Sequence, residues 1–196
     1  MRRLGAYLLA IMIAACATAE PPPDFPEPSF EALDPIYFEV PRLRVASNYR
    51  PPLAAPNVDH KFPVSIEDAA KSWALARLRA TGKISAENRV GDEAVFVIDE
   101  AWVIETALET VEGLAGLLKN ENAFRYDAKL KARLVMRRGP ARGEVEVTIT
   151  RSHTLLENAT VNDRDAVWYA MMEIMMEDLD AEMEKNIALH LADFIR

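Results

Sequence analysis

The chain has 196 residues, of which 23 are basic and 31 are acidic, so its formal net charge is −8. Half of the residues are apolar, which is enough for a packed core, and the length fits one domain or a domain with a tail. The acidic balance argues against a nucleic-acid partner, because phosphates attract a cationic surface. The single cysteine excludes a disulfide framework and any zinc or iron–sulfur site built on cysteines.

The first element has the features of a signal peptide. Arg2 and Arg3 precede twelve uncharged residues, Leu4 to Ala15. This run is shorter than the roughly 20 residues that span a bilayer, and it has the length of a signal-peptide apolar region. Its last residues are small or apolar and lead into the only cysteine of the chain: Ile13, Ala14, Ala15 and Cys16.

This ending resembles the lipobox of bacterial lipoproteins. The resemblance implies that residues 1–15 are removed, and that Cys16 becomes the acylated N-terminus and carries diacylglycerol and a fatty acid such as palmitate. Small residues fit the groove of the signal peptidase, and the thiol is the nucleophile that is alkylated. The alternative is a core cysteine that follows a buried N-terminal helix. Cleavage removes two arginines and no acid, which changes the formal charge from −8 to −10.

Acyl chains anchor a protein to a membrane without spanning it. Residue 17 is Ala, whereas Asp at this position resembles the inner-membrane retention signal of Gram-negative lipoproteins. We therefore expect the outer membrane, with the protein facing the periplasm; the periplasmic side of the inner membrane is the alternative. The expected partners are the membrane, through the anchor, and an envelope membrane protein or lipid.

Residues 16–35 are predicted to be a proline-rich, acidic tether, because residues 17–35 contain six prolines and five acids. Such a segment buries little apolar surface and favours extended polyproline conformations. At about 3.1 Å per residue it could hold the domain on the order of 50 Å from the lipid. We interpret it as a passive spacer that adds little to stability; a proline-rich ligand for another protein is the alternative.

Residues 36–196 are predicted to form a single domain. Its first strand covers Tyr37 to Ser47, and Pro41 within it indicates an edge or bent strand. A proline-rich loop follows from Tyr49 to Pro63. Ser65 then caps a helix, with Asp68 three residues later as a weak capping box, and this helix is predicted to stop at Gly82.

Three strands are predicted next. Ala94 to Leu108 is rich in β-branched and aromatic residues and is expected to bend near Asp99-Glu100. Strict alternation of apolar and charged residues from Arg125 to Arg137, and again from Glu144 to Thr150, predicts a hairpin with one buried face. The segment Gly139–Gly143 is its predicted turn. Arg137 is expected opposite Glu144, and Leu134 opposite Val147.

The last helix is predicted to begin at Asn162 or Asp163 and to reach Phe194. Its apolar stripe contains Trp168, Met172, Met175, Leu179, Met183, Ile187, Leu191 and Phe194. The acids in its middle, Asp180 and Glu184 among them, are expected mostly to face water. Met171, Met172, Met175 and Met176 are interpreted as core; a Cu(I) site and an adaptable contact surface are the alternatives.

The element order β-α-β-β-β-α predicts an α+β fold: a two-layer sandwich with a mainly antiparallel sheet and both helices on one face. In this order the chain resembles Gram-negative envelope lipoproteins, namely the lipopolysaccharide-assembly lipoprotein, the auxiliary lipoproteins of lipid-transport ABC systems, and the amino-terminal domain of the Tol translocation protein. It also resembles a family of small lipoproteins in which a proline-rich stretch, here Tyr49 to Pro52, precedes a helix with a tryptophan, here Trp73. Neither resemblance implies a catalytic residue.

No catalytic, cofactor or metal site is predicted. His60, His153 and His190 fall on a loop, a strand and a helix end, and no metalloprotease, hydrolase or nucleotide-binding motif occurs. The candidate partner-binding residues are Leu114, Leu117 and Leu118, in the weakly charged linker from Ala107 to Asn120; a buried short helix is the alternative. The sequence thus predicts a non-enzymatic accessory or scaffold lipoprotein of envelope assembly or lipid transport, or else a small-molecule or lipid-binding module.

Overall fold

The computed structural model describes residues 24–82, 91–108, 123–156 and 158–195. Its elements are β1 (Ile36–Phe38), β2 (Leu43–Ser47), α1 (Ile66–Arg77), β3 (Leu78–Ala80), β4 (Glu93–Leu108), β5 (Ala123–Arg138), β6 (Ala141–Leu156) and α2 (Val161–His190). Short 3-10 helices occupy Asp59–Lys61 and Ala192–Phe194. The predicted α+β fold is confirmed, because both helices pack on one face of a mostly antiparallel sheet.

The main sheet has the strand order β2-β4-β5-β6. The three long strands are antiparallel, whereas β2 pairs with β4 in parallel. The alternation seen in the sequence sets the inner face: every second residue of β5, from Tyr126 to Met136, is buried, and the charged residues between them lie on the other face. The core therefore lies between this face and the two helices.

The predicted first strand is wrong as a single element. β1 and β2 belong to different sheets, since β1 pairs in parallel with β3 and not with β4. The predicted end of the first helix at Gly82 is also wrong, because the chain becomes extended at Leu78, where β3 pairs with β1. The two errors share one cause: a parallel pairing between segments about 40 residues apart leaves no local signal.

The hairpin is confirmed, but its predicted register is wrong by two residues. Arg137 lies opposite Arg142, and Leu134 lies opposite Val145. The turn is only Gly139-Pro140, with a φ of 57° at Gly139, a left-handed value that glycine adopts without strain. Because the shift is even, the buried and exposed faces stay as predicted.

The predicted bend in β4 is confirmed as a β-bulge, since the pairing with β5 shifts between Ile98 and Glu100. Asp99 at the bulge accepts hydrogen bonds from Asn48 Nδ2 at 2.8 Å and from Arg133 Nε at 2.7 Å. These two contacts connect the carboxylate to residues beside β2 and within β5. The bulge is therefore fixed on both sides of β4.

Both helices begin with side-chain caps. Ser65 Oγ accepts from the backbone N–H of Asp68, as predicted, and Thr160 forms a reciprocal capping box with Asp163. α2 is 30 residues long and packs its tryptophan and methionine stripe on the sheet. The four methionines from Met171 to Met176 are all buried, as core packing requires. No helix in the described ranges is long and apolar enough to cross a membrane.

Candidate functional site

The site residues predicted from the sequence lie outside the described residues. They are Ile13, Ala14, Ala15 and Cys16 of the anchor, and Leu114, Leu117 and Leu118 of the linker. The described strands flank this linker: β4 ends at Leu108, and β5 begins at Ala123, directly opposite Leu108. These candidates therefore stay predictions, with a defined attachment point for the linker.

The proline-rich segment makes specific contacts with α2. The rings of Phe25 and Tyr169 lie 5.1 Å apart, and Tyr169 Oη donates a hydrogen bond to the carbonyl oxygen of Pro26 at 2.8 Å. Phe30 and Leu33 are partly buried against the core. We call residues 24–35 the strap. These contacts differ from the predicted passive spacer, which would not pack on the domain. The signal for packing in the sequence was the aromatic side chains, which a passive tether does not need.

The strap runs along α2 from its first half towards its C-terminal end. Phe25 contacts Tyr169, and Phe38, just after the strap, forms a β-bridge with Ile195 beyond the end of the helix. The helical stretch from Tyr169 to His190 alone is about 32 Å long at 1.5 Å per residue. Residues 25–38 are long enough to span this distance, because an extended chain advances about 3.3 Å per residue. They do so with one turn, in which the N–H of Leu33 bonds to the carbonyl oxygen of Phe30 at 3.1 Å, so the extended conformation predicted for this segment is interrupted there.

A groove of about 630 Å³ lies between the strap and α2. Its apolar wall includes Phe30, Leu33 and Met176, and its acidic side chains include Glu27 and Glu173. The groove lies on the outer side of α2, whereas the space between the helices and the sheet is filled by buried side chains. Its volume is within the range of small-molecule sites, which are mostly apolar with a few polar groups.

A partly buried ionic cluster joins α1 to α2 beneath one end of the groove. Asp180 Oδ1 accepts hydrogen bonds from Trp73 Nε1 and from Arg77 Nε, each at 2.8 Å. Arg77 Nη2 also donates to Glu184 Oε2 at 2.5 Å, and only 6% of the Arg77 side chain is exposed. The prediction that these acids mostly face water is therefore wrong for Asp180, whose side chain is 18% exposed, and is confirmed for Glu184, whose side chain is 59% exposed. The cluster is a direct polar link between α1 and α2.

Exposed apolar side chains occur where β6 leads into α2. Leu156 at the end of β6 is 51% exposed, and Val161 at the start of α2 is 66% exposed. Leu156 lies opposite Ala123, which in turn lies opposite Leu108. We call the region formed by these four residues the sheet end. It is the end of the molecule from which the linker 109–122 leaves and returns.

The other end of the molecule is polar and tightly packed. It carries the Gly139-Pro140 turn, and a Cβ atom on the nearby Gly143 would lie 2.4 Å from the Leu191 side chain. This close approach shows that the C-terminal end of α2 lies there. Arg138 at this end donates to Glu39 at 2.8 Å. α2 therefore runs from the sheet end to the turn end.

The histidines do not converge on a site. His60, His153 and His190 are exposed on three separate elements, the first 3-10 helix, β6 and the end of α2. Within the described ranges, no group of three or more His, Cys, Asp or Glu side chains could hold a metal ion.

Comparisons with known proteins give weak likenesses. No family model matches the chain, and no curated protein matches it. A minor lipoprotein from Acinetobacter baumannii is similar at 13% identity and a TM-score of 0.38, covering 76% of this chain and 92% of that one. Rare lipoprotein B from Shewanella oneidensis is similar at 8% identity and a TM-score of 0.37, covering 76% and 98%. TM-scores below 0.5 do not establish a shared fold.

Proposed function

We propose that the chain is a lipid-anchored accessory or scaffold protein of the bacterial envelope that faces the periplasm. In this proposal it has no enzymatic activity and takes part in envelope assembly or lipid transport. The proposed anchor is Cys16, acylated after removal of residues 1–15. Its support is the order of charge, apolar run, small residues and the only cysteine at the start of the chain. The absence of Asp at residue 17 supports the outer membrane, and the inner membrane is the alternative.

The observation that carries the proposal is that the strap begins near the sheet end. Phe25 contacts Tyr169, which follows Val161 by about 12 Å along the helix at 1.5 Å per residue. In this proposal the anchor therefore lies on the side of the domain where Leu156 and Val161 are exposed. An exposed apolar region beside a membrane anchor is a suitable contact for a membrane protein or a lipid.

The contacts of the strap also support a short distance between domain and membrane. Only the seven residues 17–23 separate Cys16 from Asp24, the first described residue, and the eight steps from Cys16 to Asp24 span at most about 29 Å when fully extended. This is shorter than the reach of about 50 Å estimated for a fully free tether of residues 17–35. The sheet end is then within reach of the membrane surface.

In this proposal the docking region combines the linker leucines with the sheet end. Leu114, Leu117 and Leu118 belong to the linker between Leu108 and Ala123. The partner is an apolar surface of an envelope membrane protein, or the lipid itself. Loops on a rigid scaffold are the usual carriers of such contacts.

A second candidate function, binding of a small molecule or lipid, is favoured by the groove between the strap and α2. Its volume of about 630 Å³ and its apolar wall suit an acyl chain or a similar ligand. Ala32 is an exposed residue of the groove lining, so Ala32→Trp should fill the groove without changing the core. A ligand that is released from the purified mature protein and is missing from this variant would favour binding over the adaptor role.

The adaptor role is tested by crosslinking in intact cells. A photoreactive amino acid at Leu156 should give adducts with a membrane protein or lipid, because this side chain is exposed at the sheet end. The matched control carries the same photoreactive amino acid in place of Pro140, which is exposed in the turn at the other end of the sheet. Replacing Leu114 and Leu117 by serine should remove the Leu156 adduct. Equal adducts from both positions, or none from Leu156, would contradict the proposed orientation.

A further inference from the structure

A second pocket, of about 340 Å³, lies at the edge of β4 where the bulge interrupts the sheet. The chain follows this edge as far as Asn48, whose N–H bonds to the carbonyl oxygen of Ile98 at 2.8 Å. It returns at Pro56, whose carbonyl oxygen accepts from the N–H of Glu105 at 2.9 Å, and at Val58, whose N–H bonds to the carbonyl oxygen of Val103 at 2.9 Å. Residues 49–55 loop away between these points. The pocket lies between this loop and the start of α1, with Ala101 of β4 in its wall.

Two buried polar atoms at this pocket have no partner among the described residues: Asp59 Oδ1 and Tyr49 Oη. Asp59 is only 4% exposed. The other carboxylates of the lining are paired, since Lys71 Nζ lies 2.8 Å from Glu67 and 3.2 Å from Asp68. Asp59 is therefore the lining carboxylate that is not paired with a described cation.

A buried carboxylate without a paired cation is costly to keep, because burial removes its water. The Tyr49 phenol lies beside this carboxylate: burial, then the negative charge and close approach of Asp59, and then the charge of Glu67 raise the pKa of Tyr49. Tyr49 therefore keeps its proton, and the lone pairs of its oxygen can still accept a hydrogen bond. The pocket thus presents two acceptors, and its described lining contains neither Lys nor Arg.

We propose that this pocket binds a primary ammonium group on a short aliphatic stem. An ammonium carries three N–H donors, which suit Asp59 Oδ1 and Tyr49 Oη together. Pro51, Pro63 and Phe62 give the stem an apolar wall, and Phe62 is held in place by stacking on Trp168 at 4.9 Å between ring centroids. Three lining carboxylates disfavour an anion. Free amines and the ethanolamine headgroup of a phospholipid share this chemistry.

The test is a calorimetric titration of the full mature protein, reconstituted in phosphatidylcholine vesicles, with ethanolamine. Choline is the matched control ligand, because its quaternary nitrogen has the same charge and no N–H donor. We expect choline to bind at least about tenfold more weakly, since a site built for hydrogen bonds rejects an analogue that lacks them. Asp59→Asn should weaken ethanolamine binding at least about tenfold as well. The control variant, Asp34→Asn at an exposed position of the strap, should bind like the parent.

The melting temperature separates loss of the site from loss of the fold. Asp59→Asn should melt at or above the parent temperature, because it removes a buried carboxylate that no described cation pairs with. If this variant does not fold, Tyr49→Phe decides the matter and should also weaken binding. Vesicles that contain phosphatidylethanolamine distinguish a lipid headgroup from a free amine as the natural ligand. If these vesicles compete with ethanolamine for the pocket, the ligand is the lipid headgroup; if they do not compete, it is a free amine. Equal binding of choline and ethanolamine, no saturable binding by the parent, or unchanged binding by a folded Asp59→Asn variant would overturn the proposal.

Discussion

Arg77 and Asp180 show how one side-chain contact fixes the packing of two helices. Asp180 accepts from both Arg77 and Trp73, so the carboxylate serves two donors of α1 at once. Buried charges are stable only while they are paired, because an unpaired one keeps its desolvation cost without the compensating attraction. These residues are more than 100 positions apart in the chain. No periodicity in the sequence could have paired them.

Replacing Asp180 by Ala should lower the free energy of unfolding by about 2 kcal/mol. This loss is smaller than the roughly 3–5 kcal/mol expected when a fully buried ion pair is broken, because Glu184 still contacts Arg77. Chemical denaturation of the variant and the parent measures the difference. Lys185→Ala is the matched control: it breaks an exposed pair with Glu182 one turn further along α2, and should change stability by less than about 0.5 kcal/mol. Similar losses in both variants would contradict the role assigned to the cluster.

Asp99 contacts Asn48, beside β2, and Arg133, within β5, and so links β4 to both neighbouring strands. Burial alone would raise the pKa of Asp99, but hydrogen bonds from Asn48 and Arg133 outweigh burial and hold it below its ordinary value. The folded protein therefore binds this proton less readily than the unfolded chain. The stabilisation is complete above the unfolded value of about 3.9, and is lost as the pH falls through the lower folded value.

We therefore expect Asp99→Asn to be less stable than the parent at pH 7, because the charged acceptor of Arg133 is lost. The difference between the two proteins should shrink as the pH falls from about 5 towards 2, where the parent loses the same charge. Urea midpoints measured across this range test the expectation. A difference that stays constant with pH would show that Asp99 does not stabilise the bulge through its charge.

At the scale of elements, the sequence predicted what depends on local pattern. The bend of β4, both faces of the hairpin and the cap at Ser65 follow from neighbouring residues, and the structure confirms them. The division of the first strand and the strap contacts depend on partners far along the chain. The hairpin register was wrong because the turn uses two residues, and a count of charge pairs alone does not fix the turn length.

The strap gives a direct test at this scale. Replacing Phe30 and Leu33 by serine should lower the free energy of unfolding by about 2 kcal/mol, since both side chains are partly buried and a fully buried one contributes about 1.5–3 kcal/mol. Glu31→Ser, an exposed position between them, is the control and should have little effect. Thermal melts compare the variants. A double variant as stable as the control would mean that the strap adds nothing to the domain.

At the scale of the whole molecule, the α+β architecture followed from the order of elements, because amphipathic helices and alternating strands each have one face to bury. The candidate site was harder to predict. The linker leucines were found by composition, but exposed Leu156 and Val161 look like ordinary ends of a strand and a helix in the sequence. Only the positions of the strap and the sheet end relate them to the predicted anchor.

The most direct test of the account is the N-terminus of the mature protein, because every statement about orientation starts from an anchor at Cys16. Mass spectrometry of the membrane fraction should find a chain that begins at Cys16 and carries acyl groups. Cys16→Ser should leave the acyl-free protein unprocessed or in the soluble fraction. A Cys16→Ser variant that is processed normally and stays in the membrane would contradict the lipoprotein account.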